Sequence, residues 1–336
     1  MNRCASLLVW IAPWVLTGCG EDSAGVTDAA PADVPGATDA PDAPDAPTAP
    51  ALCEGYTLPA QQIPVQQPAL VETSGIVSSR AHPGVLWAHN DSGDTARVFA
   101  LGEDGAALGE LALPVPLVDA EDIALAACPG APASTPWCLW VADTGNNARD
   151  RDDLALVAVP EPAVSPLAAL GQATAAQAWR FPVTYPDGLA IDSEALVVAG
   201  GQAYLFEKVD GASARVFSGA LPTVDGAAIV LAEVATLASP GIAITRGRMI
   251  TGADLHPLGG RVVLRVYTGI YEYRLPPGGT LTDLPAAERR EVTLGPISEG
   301  QGEAVAYDAR AGALWTMSED PDGRLAQPLH RYACAP

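Results

Sequence analysis

The chain has 336 residues, 49% of them hydrophobic, and a formal net charge of −22 at pH 7. Binding to nucleic acid or to an anionic membrane surface requires a basic surface, so this charge excludes both. Its 33 glycines and 31 prolines separate short apolar runs. That pattern predicts many short strands and therefore an all-β fold.

The N-terminus predicts export. Residues 1–18 combine Arg3 with an apolar run that is too short to span a bilayer. Residues 16–19, Leu-Thr-Gly-Cys, resemble a bacterial lipobox, and an ordinary secretory signal is the alternative. The resemblance implies a lipoprotein signal peptide over 1–18 and a lipid anchor on Cys19, which holds the protein to the membrane. We therefore expect a lipid-anchored protein of the cell envelope, periplasmic or surface-exposed, with the outer membrane favoured.

Residues 19–52 are predicted to form a disordered tether behind the lipidated cysteine. They are rich in alanine, proline and aspartate and contain almost no large apolar side chain, so they cannot bury enough surface to offset the entropy of ordering. Prolines and like charges favour an extended spacer. The remaining residues, 53–336, are long enough for one domain with a sizeable core.

Four cysteines lie in this domain, and an even number in an exported chain indicates disulfides. More than one connectivity is possible, and unpaired or differently paired thiols are the alternative. We favour Cys128–Cys138, which would staple a proline-rich loop between two strands. We also favour Cys53–Cys334, which would join the two ends of the domain.

A short motif recurs along the domain: an acid or a hydroxyl stands just ahead of a small apolar strand. Its members follow one another at steps of roughly 50 to 70 residues, about the size of a four-stranded propeller blade. The repeat predicts a single β-propeller of five blades, closed by a strand from residues 55–70 and by the terminal disulfide. A sixth blade within 200–250 is the alternative, and 228–237 is predicted as the outer strand of blade three. The marker residues are Ser74, Glu121, Glu194, Thr251 with Asp254, and Glu303.

Polar loops are expected on the face where these markers lie. Strands within a blade alternate in direction, so the loop that enters the first strand and the loop between strands two and three share a face. Loops 89–94 and 143–149 are of the second kind and are rich in Asn, Asp and Gly. For several of these residues a turn-forming role is the alternative. The candidate ligand-binding residues are Asn90, Asn146, Asn147, Arg149 and Lys208, and the candidate catalytic residues are Asp91, Asp143 and Glu319.

The blade-entry acids and the Asn-Asp-Ser-Gly and Asp-Thr-Gly-Asn loops resemble a group of bacterial lipoprotein propellers without an assigned activity, over most of 72–333. The ring of markers more loosely resembles the calcium-activated nucleotidases, the soluble apyrases, although Thr251 or Asp254 stands where a serine is expected. Gluconolactonase-like and paraoxonase-like propellers and phytase-like esterases are similar in placing calcium in the central channel. The resemblance implies a calcium site near the propeller axis.

The chemistry of the markers also favours a cation. Glutamates that converge on a narrow channel cannot all stay ionised without a counter-charge. Calcium accepts carboxylate, carbonyl and hydroxyl oxygens, and the chain offers no His or Cys cluster suited to zinc. We predict Ca²⁺ rather than Mg²⁺, and the alternative is that these acids only begin strands. The predicted metal ligands are Ser74, Glu121, Glu194, Thr251, Asp254 and Glu303.

The function is predicted only as a class. No nucleophile elbow, zinc-protease helix, phosphate loop or dinucleotide fingerprint occurs in the sequence. We predict a monomeric cell-envelope lipoprotein that presents a calcium-binding propeller to a small-molecule or protein ligand. The alternative is a calcium-dependent hydrolase of phosphoesters, esters or lactones, with its site on the central acidic face.

Overall fold

The computed structural model describes residues 53–131, 136–293, 299–320 and 326–335. The predicted signal peptide, Cys19 and the tether lie outside these residues. Strands make up most of the regular structure, together with two short 3₁₀ helices in the described ranges, η1 (Pro186–Gly188) and η2 (Leu281–Ala286). Within the same ranges, no helix has the length and hydrophobicity needed to cross a membrane.

The strands form five sheets, arranged as the five blades of a β-propeller. Blade one contains β2 (Thr73–Ser78), β3 (Val85–Asn90), β4 (Arg97–Gly102), β5 (Ala107–Ala112) and β9 (Gly171–Thr174). Blade two contains β6 (Asp122–Ala127), β7 (Trp137–Asp143), β8 (Ala155–Pro160), β10 (Trp179–Thr184) and β14 (Ile229–Val230). Blade three contains β11 (Ser193–Ala199), β12 (Gln202–Glu207), β13 (Ser213–Ala220) and β15 (Ala232–Ala238). Blade four contains β16 (Ile250–Leu255), β17 (Arg261–Val266), β18 (Gly269–Arg274) and β19 (Glu288–Thr293). Blade five contains β20 (Gln301–Tyr307), β21 (Ala313–Glu319), β22 (Leu329–Ala333) and β1 (Gln61–Ile63).

The predicted count of five blades is confirmed, and the alternative of six is wrong. The stretch 200–250 completes blade three and contributes a strand to blade two, so it holds no additional sheet. The first strands of the five blades contact one another in a closed ring around the axis. Five apolar clusters fill the five spaces between neighbouring blades, and burial of this surface is the main force holding the ring together.

Two strands that the sequence did not predict at these places add to the outer edges of blades one and two by parallel pairing. β9 pairs with β5 of blade one, and β14 pairs with β10 of blade two. The prediction of 228–237 as the outer strand of blade three is confirmed for β15 and is wrong for its first residues, which form β14 of blade two. Its first residues leave that blade because Ile229 is fully buried in the apolar cluster between blades two and three.

The two ends of the described chain close the ring, as predicted. β1 pairs with β22 in antiparallel register, with Gln61 opposite Arg331. A disulfide joins Cys53 to Cys334, whose Cα atoms are 5.3 Å apart. The second predicted disulfide, Cys128–Cys138, is also present. The first bridge spans 281 positions and the second only 10, so the first removes more entropy from the unfolded chain.

Candidate functional site

The inner strands of four blades each begin with a β-bulge. A bulge sets an extra residue against the partner strand and redirects its side chain. In blade two, Glu121 holds the equivalent place just before β6, where its N–H donates to the Ala142 carbonyl at 2.8 Å. The repeat found in the sequence is therefore a repeat of bulges around the propeller axis. The bulged residues are Ser74, Glu194, Thr251 and Glu303.

The bulges surround a cavity of about 310 Å³ whose described lining is strongly acidic. Two cations, Lys208 and Arg246, line the same cavity. The acids outnumber them, so the lining carries excess negative charge when the carboxyls are ionised. The acids are Asp91, Glu121, Asp192, Glu194, Glu303 and Glu319.

Two groups of three carboxylates lie close enough to share one cation each. We call Asp91, Asp119 and Glu121 the first triad, and Glu121, Asp192 and Glu194 the second triad. Within each triad, one oxygen from every carboxylate lies within 4.8 Å of the others. Glu121 belongs to both triads and is almost fully buried. These buried acidic clusters could hold a metal ion.

The electrostatic state of the carboxyls reflects their burial and their crowding. Burial, followed by nearby carboxylates, raises the pKa of Asp119 to about 7. The same causes raise the pKa of Glu319 to about 9 and hold the pKa of Glu121 well above its usual range. Burial raises the pKa of Glu303 to about 7, although Lys208 opposes the shift. Burial and crowding therefore favour protons on several carboxyls, and a bound cation would favour their ionised forms.

Three further observations show that the residues fit a hard cation. Glu303 is almost fully buried, and its Oε2 has no hydrogen-bond partner among the described residues. Glu194 Oε2 is also buried without a hydrogen-bond partner among the described residues. A Cβ on Gly145 would collide with the carboxylates of Glu121 and Asp119, so only glycine leaves room for the first triad. Oxygen donors of this kind are the ligands of Ca²⁺ and Mg²⁺.

The predicted hydroxyl ligands instead bond the neighbouring blade. The Ser74 hydroxyl donates to the Glu121 carbonyl at 2.8 Å, and the Thr251 hydroxyl donates to the Gly302 carbonyl at 2.9 Å. Neither is among the described residues that line the cavity. The Ser74 hydroxyl also lies 3.3 Å from Glu121 Oε2, an oxygen of a triad carboxylate. The backbone contacts clasp neighbouring inner strands together, and the role of both residues as metal ligands stays a prediction.

Asp254, another predicted ligand, also binds backbone amides. Its Oδ2 accepts from the N–H of Tyr307 in blade five at 2.8 Å, and its Oδ1 accepts from Leu255 N–H at 2.7 Å. It lies outside the cavity lining, so its position gives the metal-ligand prediction no support. Asp122 makes the same kind of contact to two blades, and sequence reasoning missed it.

Asp143, a predicted catalytic residue, holds a loop in place. Its Oδ1 accepts from the Asp119 N–H at 2.9 Å and from the Arg151 guanidinium at 3.0 Å. The side chain is fully buried and is not among the described lining residues. Asp143 therefore supports the first triad by fixing the backbone of Asp119. Its catalytic role stays a prediction that its position does not favour.

Three predicted ligand-binding residues lie outside the lining as well. Asn90 Oδ1 accepts the Val71 N–H at 3.0 Å, and Asn146 Oδ1 accepts the Asp150 N–H at 2.9 Å. Arg149 is exposed and donates to a backbone carbonyl at 2.8 Å. The Asn146 contact forms a turn, which is the alternative that the sequence left for that residue. Asn90 and Arg149 instead bind segments that are distant in the chain.

The cavity does bring together several other predicted residues. Asp91 and Glu319 line it, as do Asn147, Lys208 and the three predicted glutamate ligands. Sequence reasoning did not select Asp119 and Asp192. A usable signal existed, because each stands two positions before a marker glutamate in an Asp-x-Glu pattern of blades two and three.

Comparison with known proteins gives similarity in fold only. No family model matches the sequence, and no curated protein sequence matches it. A candidate 6-phosphogluconolactonase from Bacteroides uniformis is 12% identical, with 82% of this chain and 70% of that chain covered and a TM-score of 0.37. Glutaminyl cyclase from Myxococcus xanthus is 13% identical, with 81% and 93% covered and a TM-score of 0.42. A luciferin-regenerating enzyme is 10% identical, with 81% and 95% covered and a TM-score of 0.39. Values this low say nothing about a shared substrate.

Proposed function

We propose that the protein is a cell-envelope lipoprotein whose propeller binds a calcium ion in the axial cavity. The observation that carries the proposal is the first triad, three carboxylates within 4.8 Å of one another, beside the unpartnered buried oxygen of Glu303. Buried polar atoms are normally paired, and an unpaired buried carboxylate oxygen is costly. A divalent cation offsets both that cost and the repulsion among the carboxylates.

Calcium suits this lining better than other common metals. No histidine or cysteine is among the described residues of the cavity, so zinc has no preferred ligands there. Calcium tolerates irregular sets of about six to eight oxygens, whereas magnesium requires a near-octahedral arrangement. Asp91, Asp119 and Glu121 would hold the ion, and Glu303 lines the same cavity. The anchor on Cys19 rests on the lipobox alone.

A thermal melt in calcium and in chelator tests the proposal. A ligand that binds only the folded protein stabilises it by about 2.7 kcal/mol at a hundredfold excess over Kd. We expect a rise in Tm with calcium in the wild type and a much smaller rise in Glu303→Gln. Glu291→Gln is the matched control, because Glu291 is an exposed glutamate on β19 of blade four. Equal melting curves with and without calcium in the wild type would refute calcium binding.

A calcium-dependent hydrolase of phosphoesters, esters or lactones is the second candidate. Asp91 and Glu319 favour it, because their carboxyls lie within hydrogen-bonding reach of each other in the cavity. With its pKa raised to about 9, Glu319 holds a proton at neutral pH while no cation is bound. A carboxyl in this state can act as a general acid. A bound divalent cation would supply Lewis-acid polarisation of a substrate oxygen.

Turnover of p-nitrophenyl phosphate, p-nitrophenyl acetate and an aliphatic δ-lactone separates the two candidates. If the protein is a hydrolase, we expect Glu319→Gln to lower kcat by about a hundredfold or more, the usual size of an acid–base contribution. Glu110→Gln, on β5 at the outer side of blade one, is the control and should keep full turnover. Absence of turnover on all three substrates, with calcium bound, would favour the non-catalytic binding propeller.

A further inference from the structure

Lys208 is the only lysine of the chain, and it lies in the acidic cavity. Its backbone N–H donates to the Asp192 carbonyl at 2.8 Å, which fixes the start of the side chain. Its ammonium donates to Glu194 Oε1 and also stands over the Tyr267 ring, 5.7 Å from the centroid. Only 11% of the side chain is exposed. A single lysine cation thus lies against Glu194 of the second triad.

The charge of Lys208 acts on most of the cavity. It lowers the pKa of Asp192 and of Glu121, both members of the second triad, against the effect of burial. It acts in the same direction on Glu303 and Glu319. Arg246, the other cation of the lining, is exposed. The ammonium is therefore the main counter-charge that the chain itself supplies to these acids.

We propose that the Lys208 ammonium is an internal cation that fills the second triad, so that only the first triad remains for an external cation. The proposal rests on the proposed cation-binding function. Lysine suits this role because its ammonium is a compact point charge on a flexible stem, whereas the planar arginine fork needs more room and paired acceptors. Lys208 reaches only one oxygen of Glu194, and the other oxygen, Oε2, has no partner among the described residues. One ammonium therefore neutralises only part of the negative charge that the second triad carries when it is ionised.

Loss of the lysine charge should convert the second triad into a second cation site. Lys208→Met removes the charge and keeps an unbranched stem of similar length. We expect isothermal titration with Ca²⁺ to give one bound ion per chain for the wild type and two for Lys208→Met. Lys208→Arg keeps the charge and should give one. Equilibrium dialysis with Ca²⁺ counts the ions independently of heat signals.

A second substitution assigns the ions to their triads. Asp119→Asn removes a carboxylate of the first triad alone, so it should abolish binding in the wild-type background and leave one ion in the Lys208→Met background. Lys208→Gln, whose amide can still donate to Glu194, replaces Lys208→Met if that variant does not fold. If Lys208→Met and Lys208→Gln each bind one calcium ion with the affinity of the wild type, the proposal is wrong.

The same titrations separate this proposal from the proposed function. If the wild type binds no calcium but Lys208→Met binds one ion, the lysine is the resident cation and calcium binding by the native protein is refuted. If the wild type and the neutral variants bind one ion with equal affinity, calcium binding stands and the role of Lys208 is refuted. Binding by none of them refutes both.

Discussion

Asp122→Ala is expected to lower the free energy of unfolding by about 4 kcal/mol. Asp122 is fully buried at the start of β6, and its Oδ2 accepts from the N–H of Leu196 at 2.7 Å and of Ala253 at 3.2 Å. Those amides belong to blades three and four. Alanine in this place would leave both N–H donors without an acceptor, and each buried amide left unpaired costs about 1 to 3 kcal/mol. Urea denaturation measures the loss.

Asp254→Ala provides the matched comparison, because Asp254 binds only one amide of a neighbouring blade, that of Tyr307. We expect about half of the loss seen for Asp122→Ala. Asp152→Ala, at an exposed position, should leave the unfolding curve unchanged. A loss below about 1 kcal/mol for Asp122→Ala would mean that the blades do not depend on this carboxylate.

The architecture could be predicted because it depends on features that repeat along the chain. Each blade needs a similar number of residues and places a similar residue at its axial bulge, so spacing alone indicated the ring. The closing strand and the Cys53–Cys334 bridge followed because a ring requires its ends to meet. Both conclusions use only the order of residues in the sequence.

Which acids line the cavity and which bind backbone amides could not be predicted in this way. Glu121 and Asp122 are adjacent, yet one faces the cavity and the other binds the amides of two blades. Which of the two turns toward the cavity depends on strand register at the start of β6, and register arises from pairing with β7. The same holds for Asp143, whose partners Asp119 and Arg151 become neighbours only when the loop folds.

The hydroxyls at the markers illustrate a related limit. Ser74 and Thr251 stand at the same kind of bulge as Glu194 and Glu303, so a repeat analysis assigns all four to one role. A glutamate is long enough to reach the cavity, whereas the shorter hydroxyl side chains meet the backbone of the next blade first. Side-chain length therefore separates lining residues from clasps.

In chelator, stability is expected to fall as the pH rises from about 5 to 8. Burial raises the pKa of Glu303 from 4.5 to about 7. Below pH 4.5 the carboxyl is protonated in the folded and the unfolded chain, so it does not lower the free energy of unfolding. Between the two values the folded chain retains a proton that the unfolded chain releases, so rising pH favours unfolding. The full penalty is about 3 kcal/mol at 1.36 kcal/mol per pKa unit.

Calcium should remove this dependence, because a bound cation stabilises the ionised carboxylate and lowers its pKa in the folded protein. The difference in Tm between calcium and chelator should therefore widen with pH, since protons and calcium compete for the same oxygens. Glu303→Gln in chelator should reduce the slope without removing it, because Asp119, whose pKa is also raised to about 7, still titrates. Glu291→Gln should follow the wild type. A calcium effect that stays constant from pH 5 to 8 would show that the ion binds away from the buried carboxyls, because the raised pKa values of Asp119 and Glu303 make cation binding there depend on pH over that range.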